Sequence, residues 1–451
     1  MRGKSASQDL WTAGVLAAWL VVLVAFAYGV TVLNPAQSTI PVPMYRGAFV
    51  RLFFNYDGGW FIDIARHGYT GFSAARGWDN PYISTAFYPL YPAAVRLLSY
   101  PLLGHYFAAG LLVSWLSLFF ALLYLRRLAA LYQGEEAARR TCLCLLLFPT
   151  AVFLAAGYSE SIFLLCAVAG LYHARRSSWV LAGLWGYLAC LARPVGLAVG
   201  AAAALEALRQ AGWRPRGLKP RMAALLAAPL GLATYMAYLW WRFDDPLVFV
   251  KAESAGWGWR RELSFKGLLV TARGLSGAGE KAAVAFLLLA LLGGAVLLAA
   301  AVLRDYGRRK GSLILALGLG GALLLVGTLP GIIEAARRCL AADSVFSADF
   351  AKYSYLLIFT LLFAVLVALA FRRYGYPLGT FALLCLAAPL LTSPPSNPLM
   401  SMNRLVVVIF PAFMMLGAWG RSRDFERLYA FAGTMGLALF TTLFFYGMWA
   451  G

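Results

Sequence analysis

A single aspartate beside two glycines is the most chemically suggestive feature of this chain. Asp57 lies in Tyr56-Asp57-Gly58-Gly59-Trp60-Phe61, and Ile64-Ala65-Arg66-His67-Gly68-Tyr69 follows within one helical length. A carboxylate there could take the proton of an attacking hydroxyl as general base. The glycine pair would let a substrate or another backbone segment come close. The plainer reading is that Asp57 only caps a helix beginning at Gly58, and spacing alone leaves both open. Asp63 has a weaker claim, because it could be the wet side of an amphipathic helix spanning 50–67. In that helix Trp60, Phe61 and Ile64 would face lipid, and Gly68 would end it.

Two arginines could supply the complementary charge. Arg193 lies in Leu191-Ala192-Arg193-Pro194 and Arg404 in Ser401-Met402-Asn403-Arg404, each at the end of an apolar run. A guanidinium at such a position can hold a lipid carrier's phosphate by bidentate bonds, or it can simply snorkel to the interface. Glu160, in Tyr158-Ser159-Glu160-Ser161, could orient a sugar or solvate a tight connection between helices. Trp60, Asp63, His67 and Glu160 join the two arginines as candidate substrate contacts, with Asp57 as the catalytic residue.

Other chemistries lack their signatures. The chain has no phosphate-binding glycine loop of the nucleotide-binding kinds, no His-Glu-x-x-His and no Gly-x-Ser-x-Gly. Asp244-Asp245 looks like a metal pair, but Pro246 follows and favours a turn or helix start. The three histidines have no metal-site spacing. Cys142 and Cys144 fall on different faces of a helix, as buried small hydrophobes would. No metal and no cofactor are expected.

These residues must be held by membrane helices. Of 451 residues, 62% are hydrophobic and 13% charged, and apolar runs of about 18 residues or more recur, the length that crosses a bilayer as helix. The predicted class is an all-α integral membrane protein, a polytopic bundle of about 11–13 transmembrane helices with short interfacial helices in a long first outer loop. The thirteen-span path runs approximately 11–33, 105–125, 141–157, 159–173, 178–192, 195–208, 222–242, 281–303, 312–333, 354–371, 377–392, 404–420 and 428–449, with one or two short spans re-entrant or broken. The first run is read as a retained span, not a cleaved signal. Residues 1–451 form a single polytopic domain, with 34–104 its long extracytoplasmic loop carrying Asp57.

The net charge of +20 is sorted by side, so nucleic acid is not the expected partner. Basic clusters at Arg126-Arg127, Arg139-Arg140, Arg175-Arg176, 209–221, 304–310, Arg372-Arg373 and 421–427 follow alternate apolar runs. Under the positive-inside rule they face the cytoplasm with the N-terminus. Many of the acidic residues, Asp57, Asp63 and Glu160 among them, and the two lone arginines then fall on the other face, where charge near hydrocarbon is costly and marks a functional candidate.

The motifs resemble those of the PIG-V family of mannosyltransferases, polytopic enzymes of the GT-C superfamily. The resemblance rests on Tyr56 to Phe61, Ile64 to Tyr69 and Ala86-Phe87-Tyr88-Pro89-Leu90-Tyr91-Pro92. It continues through Phe148-Pro149-Thr150, Tyr158 to Ser161 and Ala192-Arg193-Pro194-Val195-Gly196 to Asp245-Pro246-Leu247-Val248-Phe249, Trp257-Gly258-Trp259-Arg260, Asn403-Arg404 and Phe410-Pro411. Two positions depart from the pattern: Tyr56 replaces an expected tryptophan, and Asp244 an expected glycine. The resemblance implies an inverting transferase moving a sugar, typically mannose, from a polyprenyl-phosphate-linked donor to a lipid or glycan acceptor. It places the reaction on the extracytoplasmic face of a bacterial plasma membrane or an ER-like membrane, with Asp57 as base. The competing expectations are a transporter or flippase of lipid-linked sugars and a GT-C enzyme for another sugar. The first should show paired halves with matching broken helices, which this chain lacks.

Overall fold

The computed structural model describes residues 2–33, 49–69, 82–258, 260–261, 348–393 and 399–447. The expected spans 281–303 and 312–333, the basic cluster 304–310 and parts of the first outer loop lie outside the described residues. What is described is almost entirely helical, as an apolar chain that must satisfy its own backbone requires. The one ladder is a two-residue antiparallel pair, Arg260–Arg261 with Thr392–Ser393.

The helices follow the expected spans closely. In order they are α1 Arg2–Leu33, α2 Asp57–His67, α3 Leu90–Ser99, α4 Tyr106–Gln133, α5 Glu135–Leu146, α6 Val152–Ala155, α7 Glu160–Arg175, α8 Trp179–Ala192, α9 Leu197–Gln210, α10 Ala227–Phe243 and α11 Val248–Trp257. After the undescribed stretch come α12 Ala348–Tyr374, α13 Tyr376–Leu391, α14 Met402–Leu405, α15 Phe410–Trp419 and α16 Arg423–Phe445. Five described helices are long and apolar enough to cross a membrane unaided: 7–30, 106–133, 220–243, 355–374 and 423–445. A sixth span forms if the turn Met402–Val408 and α15, bent by 77° at Ile409, are counted together. The remaining expected spans among the described residues are shorter helices, and 141–157 is split at Phe148-Pro149 into α5 and α6.

The packing sorts charge to opposite ends of the bundle. α4 and α7 run in the same direction. Ser114 donates to the Ala156 carbonyl near the start of both, and Tyr124 meets His173 at 3.2 Å further along. The far end collects the basic clusters. Arg126 pairs with Asp9 of α1 and Glu135 of α5, Arg175 with Glu206 of α9, Tyr374 donates to Gln133, and Arg140 donates to the Gly417 carbonyl. The described clusters predicted to share one side therefore share one end. The starts of α2 and α7, the end of α8 and α14 lie at the other.

One local expectation fails. The stretch 50–67 is not a single interfacial helix but a 3-10 turn, Phe49–Phe54, followed by α2. Trp60, Phe61 and Ile64 are buried in protein, not lipid, and so is Asp63 at 3% exposure. Trp60 stacks on Phe87 with ring centres 5.7 Å apart, and Phe61 meets Phe87 and Tyr91 edge-on. The aromatic Phe87-Tyr88-Pro89 segment covers the face that the amphipathic pattern assigned to lipid. Gly68 does end α2, with φ of 73° and its N–H on the Ile64 carbonyl.

Candidate functional site

Four charged side chains from four separate elements meet at one end of the bundle. Asp57 Oδ2 accepts from Arg404 Nη1 at 2.6 Å. Arg404 Nε lies 3.2 Å from Glu160 Oε1, and Arg193 Nη2 lies 2.5 Å from the same oxygen. Arg193 Nε donates to Ser159 Oγ at 3.1 Å. The result is a line, Asp57–Arg404–Glu160–Arg193, in which two carboxylates balance two guanidiniums. Glu160 is fully enclosed at 0% exposure, whereas Asp57 keeps 19% of its side chain open, Arg193 13% and Arg404 11%. Buried charge is tolerated only when paired, and this pairing leaves the two ends of the line accessible.

Each position follows from a local break in regular structure. Asp57 is the first residue of α2; the preceding Tyr56 has φ of 54° and ψ of −114°, and no side chain caps the helix. The capping role of Asp57 is thus not realised, because its carboxylate is turned to Arg404. Gly58 is needed for close approach of backbone: a Cβ there would sit 3.3 Å from the Gly157 carbonyl and 3.2 Å from Phe54 Cβ. The approaching segment is the turn from α6 to α7, whose Gly157 N–H donates to the Phe53 carbonyl at 2.8 Å. Glu160 opens α7, where the helix N-terminus favours a carboxylate.

Arg193 sits in extended backbone between α8 and the turn Pro194–Gly196, the conformation that a following proline enforces. Gly196 packs so tightly on α8 that a Cβ would lie 2.3 Å from the Ala189 carbonyl carbon. Arg404 rides on α14, a single turn entered through Ser401 at φ of 63°. Thr150 of the Phe148-Pro149-Thr150 motif braces that turn by donating to the Asn403 carbonyl at 2.7 Å. The guanidinium lies over the rings of Tyr158 and Phe153, at 5.3 and 5.8 Å from their centres, which adds cation–π attraction.

Asp57, Glu160, Arg193 and Arg404 are therefore brought together. Glu160 does not solvate a turn, because it is enclosed between the two arginines. Trp60, Asp63 and His67 stay apart from the four: Trp60 is in the aromatic packing beneath α2, Asp63 is buried further along the helix, and His67 is exposed at its far end. Asp245 is not half of a metal pair. Its carboxylate accepts the Leu247 N–H at 2.9 Å and pairs with Lys251 at 2.5 Å, and those two partners hold its carboxyl below the ordinary carboxylate range. No cluster with metal-binding composition occurs among the described residues. The neighbouring departure from the family pattern has a reason too. Asp244 ends α10 at φ of 53°, a left-handed cap where glycine is usual and aspartate is tolerated. Cys142 and Cys144 are buried and unbridged. Sequence reasoning passed over Tyr158 and Asn55 as site residues. Tyr158 had a signal, its place in the Tyr158 to Ser161 motif; Asn55 had none.

One oxygen of Asp57, Oδ1, makes no hydrogen bond or ion pair among the described residues. The same holds for Arg193 Nη1 at the other end of the line. The arrangement presents an acceptor for a hydroxyl proton at one end and a donor for an anionic oxygen at the other.

Residues 30–211 match the model of the family described as mannosyltransferase (PIG-V). A curated relative, GPI mannosyltransferase 2 of Yarrowia lipolytica, is 41% identical over 86 residues, which is 19% of this chain and 24% of the relative. The chain thus matches about a quarter of the length of that relative. Among solved structures, ArnT from Cupriavidus metallidurans bound to undecaprenyl phosphate aligns over 90% of this chain and 78% of its own, at 17% identity and a TM-score of 0.38. The apo oligosaccharyltransferase of Archaeoglobus fulgidus aligns over 95% of this chain and 54% of its own, at 14% identity and a TM-score of 0.41. The resemblance read from the motifs is borne out by the family match, and the matched segment carries Asp57, Glu160 and Arg193.

Proposed function

We propose that the chain is an inverting glycosyltransferase. It would move mannose from a polyprenyl-phosphate-linked donor to a hydroxyl of a lipid or glycan acceptor, with Asp57 as general base. The observation that carries this reading is the charge-balanced line itself, with a carboxylate oxygen available at one end and a guanidinium nitrogen at the other. The acceptor oxygen attacks the anomeric carbon from the face opposite the phosphate. The carbon–oxygen bond to phosphate breaks with its electron pair, and the hydroxyl proton passes to Asp57 Oδ1. Charge developing on the leaving phosphate is met by Arg193, with Arg404 next in line. No covalent intermediate is required, and one base with one cationic group accounts for the electron flow.

The same reading includes a side, which charge sorting supports. The basic clusters gather at the end of the bundle remote from Asp57, and the positive-inside rule puts that end, with the N-terminus, in the cytoplasm. The site then opens to the extracytoplasmic face of a bacterial plasma membrane or an ER-like membrane. There a carrier phosphate lies at the headgroup level and its isoprenoid tail among the helices.

The test is transfer of radiolabelled mannose from polyprenyl-phosphate mannose to extracted membrane lipids and glycans, with purified protein in liposomes and Asp57→Asn in parallel. Label on an acceptor with the wild type alone supports the reading. Donor appearing in the opposite leaflet without transfer replaces it with a flippase. Transfer only from a different sugar donor keeps the mechanism and changes the substrate.

A further inference from the structure

The residues that precede Asp57 carry no reactive group, yet they are held from two sides. Asn55 is buried, and its Nδ2 donates to the carbonyl of Phe444 at 2.6 Å. Phe444 belongs to the last turn of α16, and its carbonyl also accepts the Gly447 N–H at 3.1 Å. Tyr56 extends the same attachment, since its hydroxyl donates to the Gly447 carbonyl. Half-burial pushes that phenol up to about 12, so it remains a donor at any working pH. From the opposite side, Tyr158 donates to the Asn55 carbonyl at 2.7 Å. Gly58 N–H reaches the same oxygen at 3.2 Å. Phe53 packs edge-on against Phe445 with centres 4.9 Å apart.

These attachments surround an unfavourable backbone. Tyr56, at φ of 54° and ψ of −114°, occupies a region that glycine enters readily and a ringed side chain does not. Such a conformation persists only where its surroundings over-determine it, and strain of this kind concentrates at functional sites. The bend at Tyr56 is also what turns Asp57 away from capping α2 and toward Arg404. Tyr158 touches both halves of that pair, its hydroxyl on the Asn55 backbone and its ring beneath the Arg404 guanidinium.

We infer that the carboxyl end of α16 is a working part of the site, and that Asn55 and Tyr158 are positioning residues holding the strained Tyr56 backbone that aims Asp57. Neither residue needs to touch the substrate. Their effect passes through the direction of the carboxylate, so it falls on the chemical step and not on donor capture. The inference rests on the reading of Asp57 as base.

The test measures kcat, KM for polyprenyl-phosphate mannose and the pH profile of kcat for Asn55→Ala, Tyr158→Phe and Tyr56→Phe, with Asp57→Asn alongside. Misaiming a catalytic group by about 1 Å can cost about 100-fold. Asn55→Ala and Tyr158→Phe are therefore expected to lower kcat by about 10- to 100-fold, with KM little changed and the acidic limb of the pH profile displaced. Asn55→Gln, which keeps the amide donor, should recover part of the loss. Unchanged kcat in Asn55→Ala, or a loss matched by an equal rise in KM, overturns the inference. If Asn55→Ala does not fold, the two phenylalanine variants decide, and wild-type kcat in both overturns it. Near-normal activity in Asp57→Asn would instead remove the base reading itself. A dead Asp57→Asn beside a fully active Asn55→Ala would remove only the positioning role.

Discussion

The two ends of the bundle each carry a buried arginine between two carboxylates, and they are built differently. At the basic end, Arg126 is 2% exposed and reaches Asp9 at 2.6 Å and Glu135 at 2.5 Å. Gln8 adds a third acceptor at 3.0 Å, and every group sits on the regular part of a helix end. At the Asp57 end, the carboxylate in the middle is the enclosed one, and it serves two arginines held on irregular backbone. Ser401 and Tyr56 have positive φ and Arg193 is fully extended. The first network joins α1, α4 and α5 and engages both Nη groups of Arg126. The second leaves a carboxylate oxygen and a guanidinium nitrogen unengaged among the described residues, at the cost of strained turns. That contrast separates an ion cluster that holds helices together from the one proposed above to receive a substrate.

Substitutions can break the comparison, and the largest effect is expected from Asp57→Asn. The amide keeps the size and a contact to Arg404 but cannot take a proton, so turnover should fall by about 10²- to 10⁴-fold. Thermal unfolding in detergent should be little altered. A stability loss comparable to the activity loss would make the Asp57 end another structural network. Glu160→Gln comes next. It leaves two arginines facing an uncharged amide, and breaking a buried pair in this way costs about 3–5 kcal/mol. The expected readout is a large drop in Tm together with weaker donor binding.

Glu135→Gln sharpens the contrast from the other end. Arg126 would still hold Asp9, so the loss should be nearer the value of one charge-assisted hydrogen bond, about 1.5–3 kcal/mol, with activity per folded molecule unchanged. Asp57-dependent turnover lost in this variant would show that the two ends are coupled. The smallest effect belongs to Arg127→Ala. Its pair with Asp9 is partly exposed on both sides, and pairs near the surface contribute about 0–1 kcal/mol. Unfolding at low and high salt should scarcely separate this variant from the wild type.

The same contrast explains what could be read in advance. The positions of the described helices and the common end of the described basic clusters were legible, because hydrophobic run length and charge placement are set by the bilayer and not by packing. The chemistry at Asp57, Arg193 and Arg404 could be proposed residue by residue, since a charge beside an apolar run needs a reason wherever it occurs. The face of α2 was misread. Its pattern of Trp60, Phe61 and Ile64 against Asp63 has the period of an interfacial helix, but the aromatic segment from Phe87 to Tyr91 folds back and covers it with protein.

By itself, then, the order of residues determined a nearly all-helical membrane chain and the ends at which its described charges collect, and it singled out the carboxylate and arginines proposed to do chemistry. Tertiary structure alone decided that Glu160 would stand between Arg193 and Arg404, and that Asp57 would turn from its own helix to Arg404. It alone brought the end of α16 against Asn55, 389 positions away in sequence. The physical reason is range. Span length, charge sorting and helix propensity are local or one-dimensional quantities that a sequence displays directly. Pairing between segments hundreds of residues apart depends on which backbone breaks let them meet, and Gly58, Gly157, Pro194 and Ser401 make those breaks only when the bundle closes around them.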